Sequence, residues 1–179
     1  MKRKLSKKDI VKYLKLINEE LVKAEETAEI VLLGGCAMVL MYDARKSTKD
    51  IDAIFNNKSK MRECVKMIAK NNNLNDDWLN DAAKSFITPK MKTVEVTKFS
   101  NLKIKVFDLE SLLVLKLISA RALTNDFSDS LILLENSSIK NIEELYELVE
   151  KYAPEDLLTP RVDYFIQEVW KKYRGDENK

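Results

Sequence analysis

The stretch Leu33–Phe55, LGGCAMVLMYDARKSTKDIDAIF, decides how the rest of the chain is read. Of the three glycines in 179 residues, two, Gly34 and Gly35, stand side by side at the end of the run EIVLL. That run is short and rich in β-branched residues, so it predicts a buried strand closed by the glycines. CAMVLMY is nearly all apolar and predicts a short helix buried on most sides. DARKST is polar and predicts an exposed loop. DIDAIF opens by alternating acidic and apolar residues, so on a strand Asp50 and Asp52 share one face while Ile51 points to the other.

Two glycines between strand and helix allow a tight turn with nothing projecting from it, next to the unpaired N–H groups of a helix start. Such a turn can cradle phosphate. Two carboxylates on one strand face can bridge hard cations that prefer oxygen, Mg²⁺ or Mn²⁺, and such ions can hold an attacking hydroxyl and a departing pyrophosphate in line. The pair is a poor fit to a solvated edge, because Asp is depleted in strands and like charges on one face repel.

Outward from this stretch, Ser6 and Asp9 form a capping-box pattern, and Ile10, Leu14, Ile17 and Leu21 share a face, predicting a helix to about Glu25. Ser59 is placed to cap a helix through about Lys70. WLNDAAKSF predicts another short helix, and TVEVTKF and LKIKVF, parted by Ser100-Asn101, an antiparallel hairpin. From Leu109 onward four helices are predicted: LESLLVLKLISARAL, FSDSLILLE, NIEELYELVEKY with an Asn141/Glu144 box, and RVDYFIQEVWKKY after Pro160. Residues 1–108 therefore read as an α/β core and 109–179 as a helical C-terminal region packed on it.

The composition is globular, 45% hydrophobic, and its 34% charged residues nearly cancel to +2, so any basic surface must be local. The basic opening, Lys2 to Lys8, is followed by an amphipathic pattern rather than a signal peptide, and no run reaches membrane-spanning length. Cys36 and Cys64 lie in apolar pattern without a CxxC or Cys/His cluster, and read as reduced packing residues of a cytoplasmic protein. No histidine is present, which excludes Ser/His and Cys/His nucleophilic catalysis and His-ligated zinc.

Gly34-Gly35-Cys36-Ala37, followed by Arg45, Thr48, Asp50, Ile51 and Asp52, resembles the GGxA and R.T.DID hallmark of the nucleotidyltransferase fold shared with DNA polymerase β. The nearer likeness is to AbiEii-type toxin nucleotidyltransferases and related bacterial domains. LLVLKLISARALTNDFSD looks like the distal motif of that group, so the likeness runs from about Glu29 to Glu135. It implies an α+β fold, a small mixed sheet flanked by helices with a helical C-terminal region. It also implies transfer of a nucleoside monophosphate from NTP, with Gly34 and Gly35 facing the triphosphate and Asp50 and Asp52 on the metal. Lys116 would meet phosphate, or pair with Asp126 or Asp129; Asp129 would position Lys116 or the acceptor. Arg45 and Thr48 would contact nucleotide, with ordinary loop residues as the alternative reading and, for Arg45, the orienting of Asp50 or Asp52. The usual third carboxylate would be Glu95, with Asp108 a competitor more simply read as a helix N-cap.

The acceptor implied by the resemblance ranges from tRNA or other RNA to small antibiotics, and a cognate antitoxin is an implied partner. The competing expectation is a nucleotide-binding or protein-interaction module on the same fold without turnover.

Overall fold

The computed structural model describes residues 4–120 and 125–177. The described part divides into two compact units, one of residues 4–84 and 93–107, the other of residues 85–92, 108–120 and 125–177. The expected end of the LESLLVLKLISARAL helix, at residues 121–123, lies outside the described residues, as do Lys2 and Arg3.

In the first unit, α1 (Lys7–Lys23) starts at Ser6, whose hydroxyl accepts from the Asp9 N–H while the Asp9 side chain returns to Ser6. Before it, β1 (Leu5–Ser6) pairs antiparallel with β3 (Ser47–Thr48). The main sheet has the order β5-β4-β2-β7-β6, from β2 (Ala28–Leu33), β4 (Ile51–Phe55), β5 (Leu79–Asn80), β6 (Thr93–Lys98) and β7 (Leu102–Phe107). It is mixed: β2 runs antiparallel to β4 and parallel to β7, and β6 and β7 form the expected hairpin. Between β2 and β3 lies α2 (Gly34–Met41), and between β4 and β5 lies α3 (Lys58–Asn72).

Alternation along the strands builds the core. Ile30 and Leu32 of β2, Ile51 and Ala53 of β4, and Ile104 and Val106 of β7 are buried, and they join Ile10, Leu14 and Ile17 of α1 and Met61, Val65 and Ile68 of α3 in one cluster. Their neighbours Glu29, Val31, Asp52, Ile54, Lys103 and Lys105, on the other face, are only half-buried. At roughly 25 cal/mol per Å² of apolar surface, each of these buried Ile, Leu, Val and Met side chains contributes about 1.5–3 kcal/mol to the unit.

Three local expectations are corrected. The cap of α3 is Asn57, in left-handed conformation, rather than Ser59; Asn accepts that conformation more readily than most residues. WLNDAAKSF is not a helix: Leu79–Asn80 join the sheet edge, and a single 3₁₀ turn covers Ala82–Phe86. There the Trp78 carbonyl accepts from the Ile51 N–H at 2.7 Å, so sheet pairing overrides local helical pattern. DARKST is not wholly an exposed loop, since Thr48 is buried in the small β1–β3 ribbon.

The second unit is helical: α4 (Leu109–Ile118), α5 (Asp126–Glu135), α6 (Ile142–Tyr152) and α7 (Pro160–Glu177). α4 is its centre, buried along nearly its whole length and packed on α5, α6 and α7. Asp108 caps it by accepting the Ser111 N–H at 2.9 Å, as its position before LESLL predicts. Asn141 caps α6 through the Glu144 N–H, and Pro160 opens α7, where a missing N–H costs nothing.

Candidate active site

The glycine turn and the acidic strand meet. β2 and β4 are neighbours, and their register sets Leu33 opposite Asp52, so the residue after Leu33 lies beside the Asp52 side chain. Gly34 has φ +63°, a conformation that L side chains rarely adopt, and a β-carbon on it would stand 2.6 Å from Asp52 Oδ2. A β-carbon on Gly35 would stand 2.6 Å from Thr48 Oγ1 and 3.1 Å from an Arg45 guanidinium nitrogen. The two glycines therefore serve different neighbours: one makes room for a carboxylate, the other for a hydroxyl and a cation.

The glycines belong to α2 itself, which begins at Gly34 rather than at Cys36 as expected. The residue before the helix, Leu33, has no side chain able to cap it, and none does. The first-turn N–H groups, Gly34 and Gly35 among them, thus lie beside Asp52 without a side-chain cap from the preceding residue.

Asp50 sits one residue before β4, half-buried, and not within the strand as expected. Its charge and that of Asp52 both reach Cys36: the buried thiol is pushed well above its ordinary pKa, by burial first and then by Asp52 and Asp50. Cys36 is consequently a neutral packing group, as expected of it. Thr48 is held in place from behind by β1, with Leu5 as its register partner, and Asp52 has Asn80 of β5 opposite it. Neither Leu5 nor Asn80 was singled out in the sequence. A two-residue strand carries no periodic signal, so nothing local points to either.

Glu95 is placed elsewhere. It lies on β6, with β2 and β7 between it and β4. Neighbouring strands are about 4.8 Å apart, so three steps put it roughly 14 Å from the Asp52 strand, and its carboxylate is 3.4 Å from the Lys103 ammonium. Metal–oxygen bonds are about 2–2.6 Å long, so this position does not support the expected role as third carboxylate. Among the described residues, no group of three or more His, Cys, Asp or Glu side chains is arranged to hold a metal ion.

In the second unit, Lys116 is buried on α4 and paired at 2.8 Å with both Asp126 and Asp129, the latter almost fully buried. Of the two environments expected for Lys116, the structure shows the ion pairs. An ammonium within an apolar helix requires such partners, because burying an unpaired charge is far costlier than burying a paired one.

A family model described as a nucleotidyltransferase of unknown function (DUF6036) matches residues 9–173. The chain belongs to that family. The match runs through both units and includes every residue of the glycine–aspartate site. The α+β architecture, a five-stranded mixed sheet followed by a helical C-terminal part, is that of a nucleotidyltransferase-like domain. No curated protein and no solved structure matches the chain significantly. Among the described residues, no helix of this DUF6036 protein is long and apolar enough to cross a membrane.

Proposed function

We propose that the chain is an Mg²⁺-dependent nucleotidyltransferase that moves a nucleoside monophosphate from NTP to an acceptor. The observation that carries this reading is the contact of Gly34 with the Asp52 carboxylate, with Thr48 and Arg45 against Gly35. It joins an uncapped helix N-terminus, suited to polyphosphate, to carboxylates suited to a hard cation. Mg²⁺ and Mn²⁺ fit this donor set: Mg²⁺ is usually held by one or two carboxylates and completes its shell with water and substrate phosphate oxygens. Asp50 and Asp52 would be the protein ligands. Bound divalent ions would supply neutralisation of the charge that develops on the transferred phosphoryl group.

The chain's own residues then do the positioning. The N–H groups of Gly34 and Gly35 fix the polyphosphate against Asp52, and the absence of both β-carbons lets it approach. Arg45 and Thr48 hold the back of the turn, so that the donor groups are preorganised rather than recruited on binding. Lys116, Asp126 and Asp129 are read as a positioning cluster within their own helical unit. By likeness to the toxin-type nucleotidyltransferases, the acceptor is RNA, tRNA included, and a cognate antitoxin is the corresponding partner.

Purified protein incubated with each labelled NTP, Mg²⁺ and total cellular RNA tests this. Label transferred to RNA, and lost in Asp52→Asn, supports the reading; transfer only to small antibiotics in a parallel panel keeps the chemistry and removes the RNA acceptor. The place of Glu95, three strands from Asp52, favours a second reading, a nucleotide-binding module without turnover. NTP binding that needs Gly34 and Asp52, with no transfer to any acceptor, is its outcome.

A further inference from the structure

The exposed side of α1 carries two ridges at four-residue spacing, Lys7, Val11, Lys15 and Glu19 along one, Lys8, Lys12 and Leu16 along the other. Together they enclose a shallow furrow of about 480 Å³. Val11 in the first ridge is 38% exposed, Leu16 in the second is half-buried, and all four lysines are exposed. Among the described residues none of these lysines is paired with a carboxylate. Asp9, the one acidic residue among the first sixteen, is used in the capping box with Ser6. The same sixteen residues hold seven Lys or Arg in a chain whose net charge is only +2.

This arrangement is locally unfavourable. Lys7 and Lys8 occupy the first turn of α1, where the helix dipole disfavours cations, and the four like charges crowd one face. Among the described residues no carboxylate pairs with them, and only Lys12 has another partner, the Tyr13 ring 5.4 Å away; breaking a local rule with so little compensation inside the fold points to a functional surface. A furrow between two such ridges is also the shape into which the ridge of another helix packs.

We propose that this furrow docks an acidic amphipathic helix of a protein partner, its apolar ridge over Val11 and Leu16 and its flanking carboxylates on Lys7, Lys8, Lys12 and Lys15. The apolar part of the lining, Val11 and Leu16, is what selects this partner over nucleic acid. A phosphate backbone would use the lysines but gain nothing from Val11, and the furrow offers no ring for base stacking, since Tyr13 is fully buried. A lipid surface would need the main apolar stripe of the helix, and Ile10, Leu14, Ile17 and Leu21 are spent in the core. The proposal is independent of whether the chain transfers nucleotides.

The probe is a fluorescein-labelled synthetic helix with leucines along one four-residue ridge and glutamates on both flanks, titrated against the full chain and followed by anisotropy. Binding is expected to weaken at least about tenfold in Lys12→Glu/Lys15→Glu and in Val11→Asp, with thermal midpoints unchanged because these side chains are exposed. A peptide with lysines in place of the glutamates should bind the Lys→Glu variant and not the wild type. The proposal is overturned if a scrambled peptide of the same composition binds equally or if Val11→Asp has no effect. It is likewise overturned if duplex RNA or phosphatidylserine vesicles bind through these lysines while the helix does not. Self-association of the wild type that is lost in Lys12→Glu/Lys15→Glu would assign the furrow to a second copy of the chain and overturn it too.

Discussion

A β-carbon on Gly34 would stand 2.6 Å from Asp52 Oδ2, a separation that real β-carbons essentially never show. The glycine is therefore a condition for the carboxylate's position, and the two residues are one feature of the molecule although seventeen others separate them in sequence.

Gly34→Ala should be the most damaging small substitution in the first unit. It must either displace Asp52 or leave a φ of +63°, at a cost of about 1–3 kcal/mol. Urea unfolding should show that loss, and NTP transfer should fall by at least about a hundredfold, since displacement of catalytic groups by an ångström costs about that much. Gly35→Ala should act through Thr48 and Arg45, and Thr48→Ala in the same chain should recover part of the loss by removing the hydroxyl that the added methyl would meet at 2.6 Å.

Asp52→Asn should separate stability from chemistry. The amide keeps the shape beside Gly34 but gives up the charge, so the thermal midpoint should hold while transfer drops by about a thousandfold, corresponding to several kcal/mol of charge stabilisation. Isothermal titration with Mn²⁺ in the presence of a non-hydrolysable NTP should lose its signal in the same variant. A variant that keeps wild-type transfer would end the proposed metal role for Asp52.

Lys116→Met should be costly to fold, about 3–5 kcal/mol, because it takes the ammonium away from the buried Asp129 and the half-buried Asp126. Adding Asp126→Asn and Asp129→Asn should return part of that stability, since it removes the two carboxylates that the lost ammonium offset. Differential scanning calorimetry of the single and triple variants reads the difference.

Tyr13→Phe should be neutral or stabilising by about 1 kcal/mol. The ring is fully buried, 5.3 Å from Trp78 in an edge-to-face pair, but among the described residues its hydroxyl has no hydrogen-bond partner. Trp78, whose indole N–H donates to the Val65 carbonyl at 3.0 Å, should by contrast lose stability on replacement by Phe. Denaturant midpoints compare the two.

Both thiols should resist modification. Burial raises the pKa of Cys36 and of Cys64, and the acidic neighbours of Cys36 raise it further, so the reactive thiolate is scarce at pH 8 in the folded protein. Dithionitrobenzoate should react with neither cysteine until denaturant is added, and the rate should then match unfolding. Fast labelling of Cys36 in the native state would contradict the closed packing around α2.

The elements of the glycine–aspartate site were legible because each is announced by a local rule. A glycine pair between an apolar strand and an apolar helix needs no partner to be recognised, and period-two alternation oriented Asp52. Glu95 shows the limit of such rules: alternation marks its strand, but the number of strands lying between it and Asp52 is a matter of sheet order. Thr48 illustrates the converse, since a polar residue in a polar stretch carries no mark of burial until β1 pairs behind it. The short helix expected over WLNDAAKSF failed where the backbone of Trp78 had a better partner in Ile51.

By itself the sequence determined the period of each long element, the caps at Ser6, Asp108 and Asn141, and the chemistry excluded by the absence of histidine. These depend on side chains within a few residues of one another. Only the tertiary structure decided that Gly34 lies against Asp52, that Gly35 faces Thr48 and Arg45, that Lys116 is bound to two aspartates, and that Glu95 is three strands away. Strand order and register are set by how the whole apolar surface is buried, a sum over residues far apart in the chain, and no local pattern carries that sum.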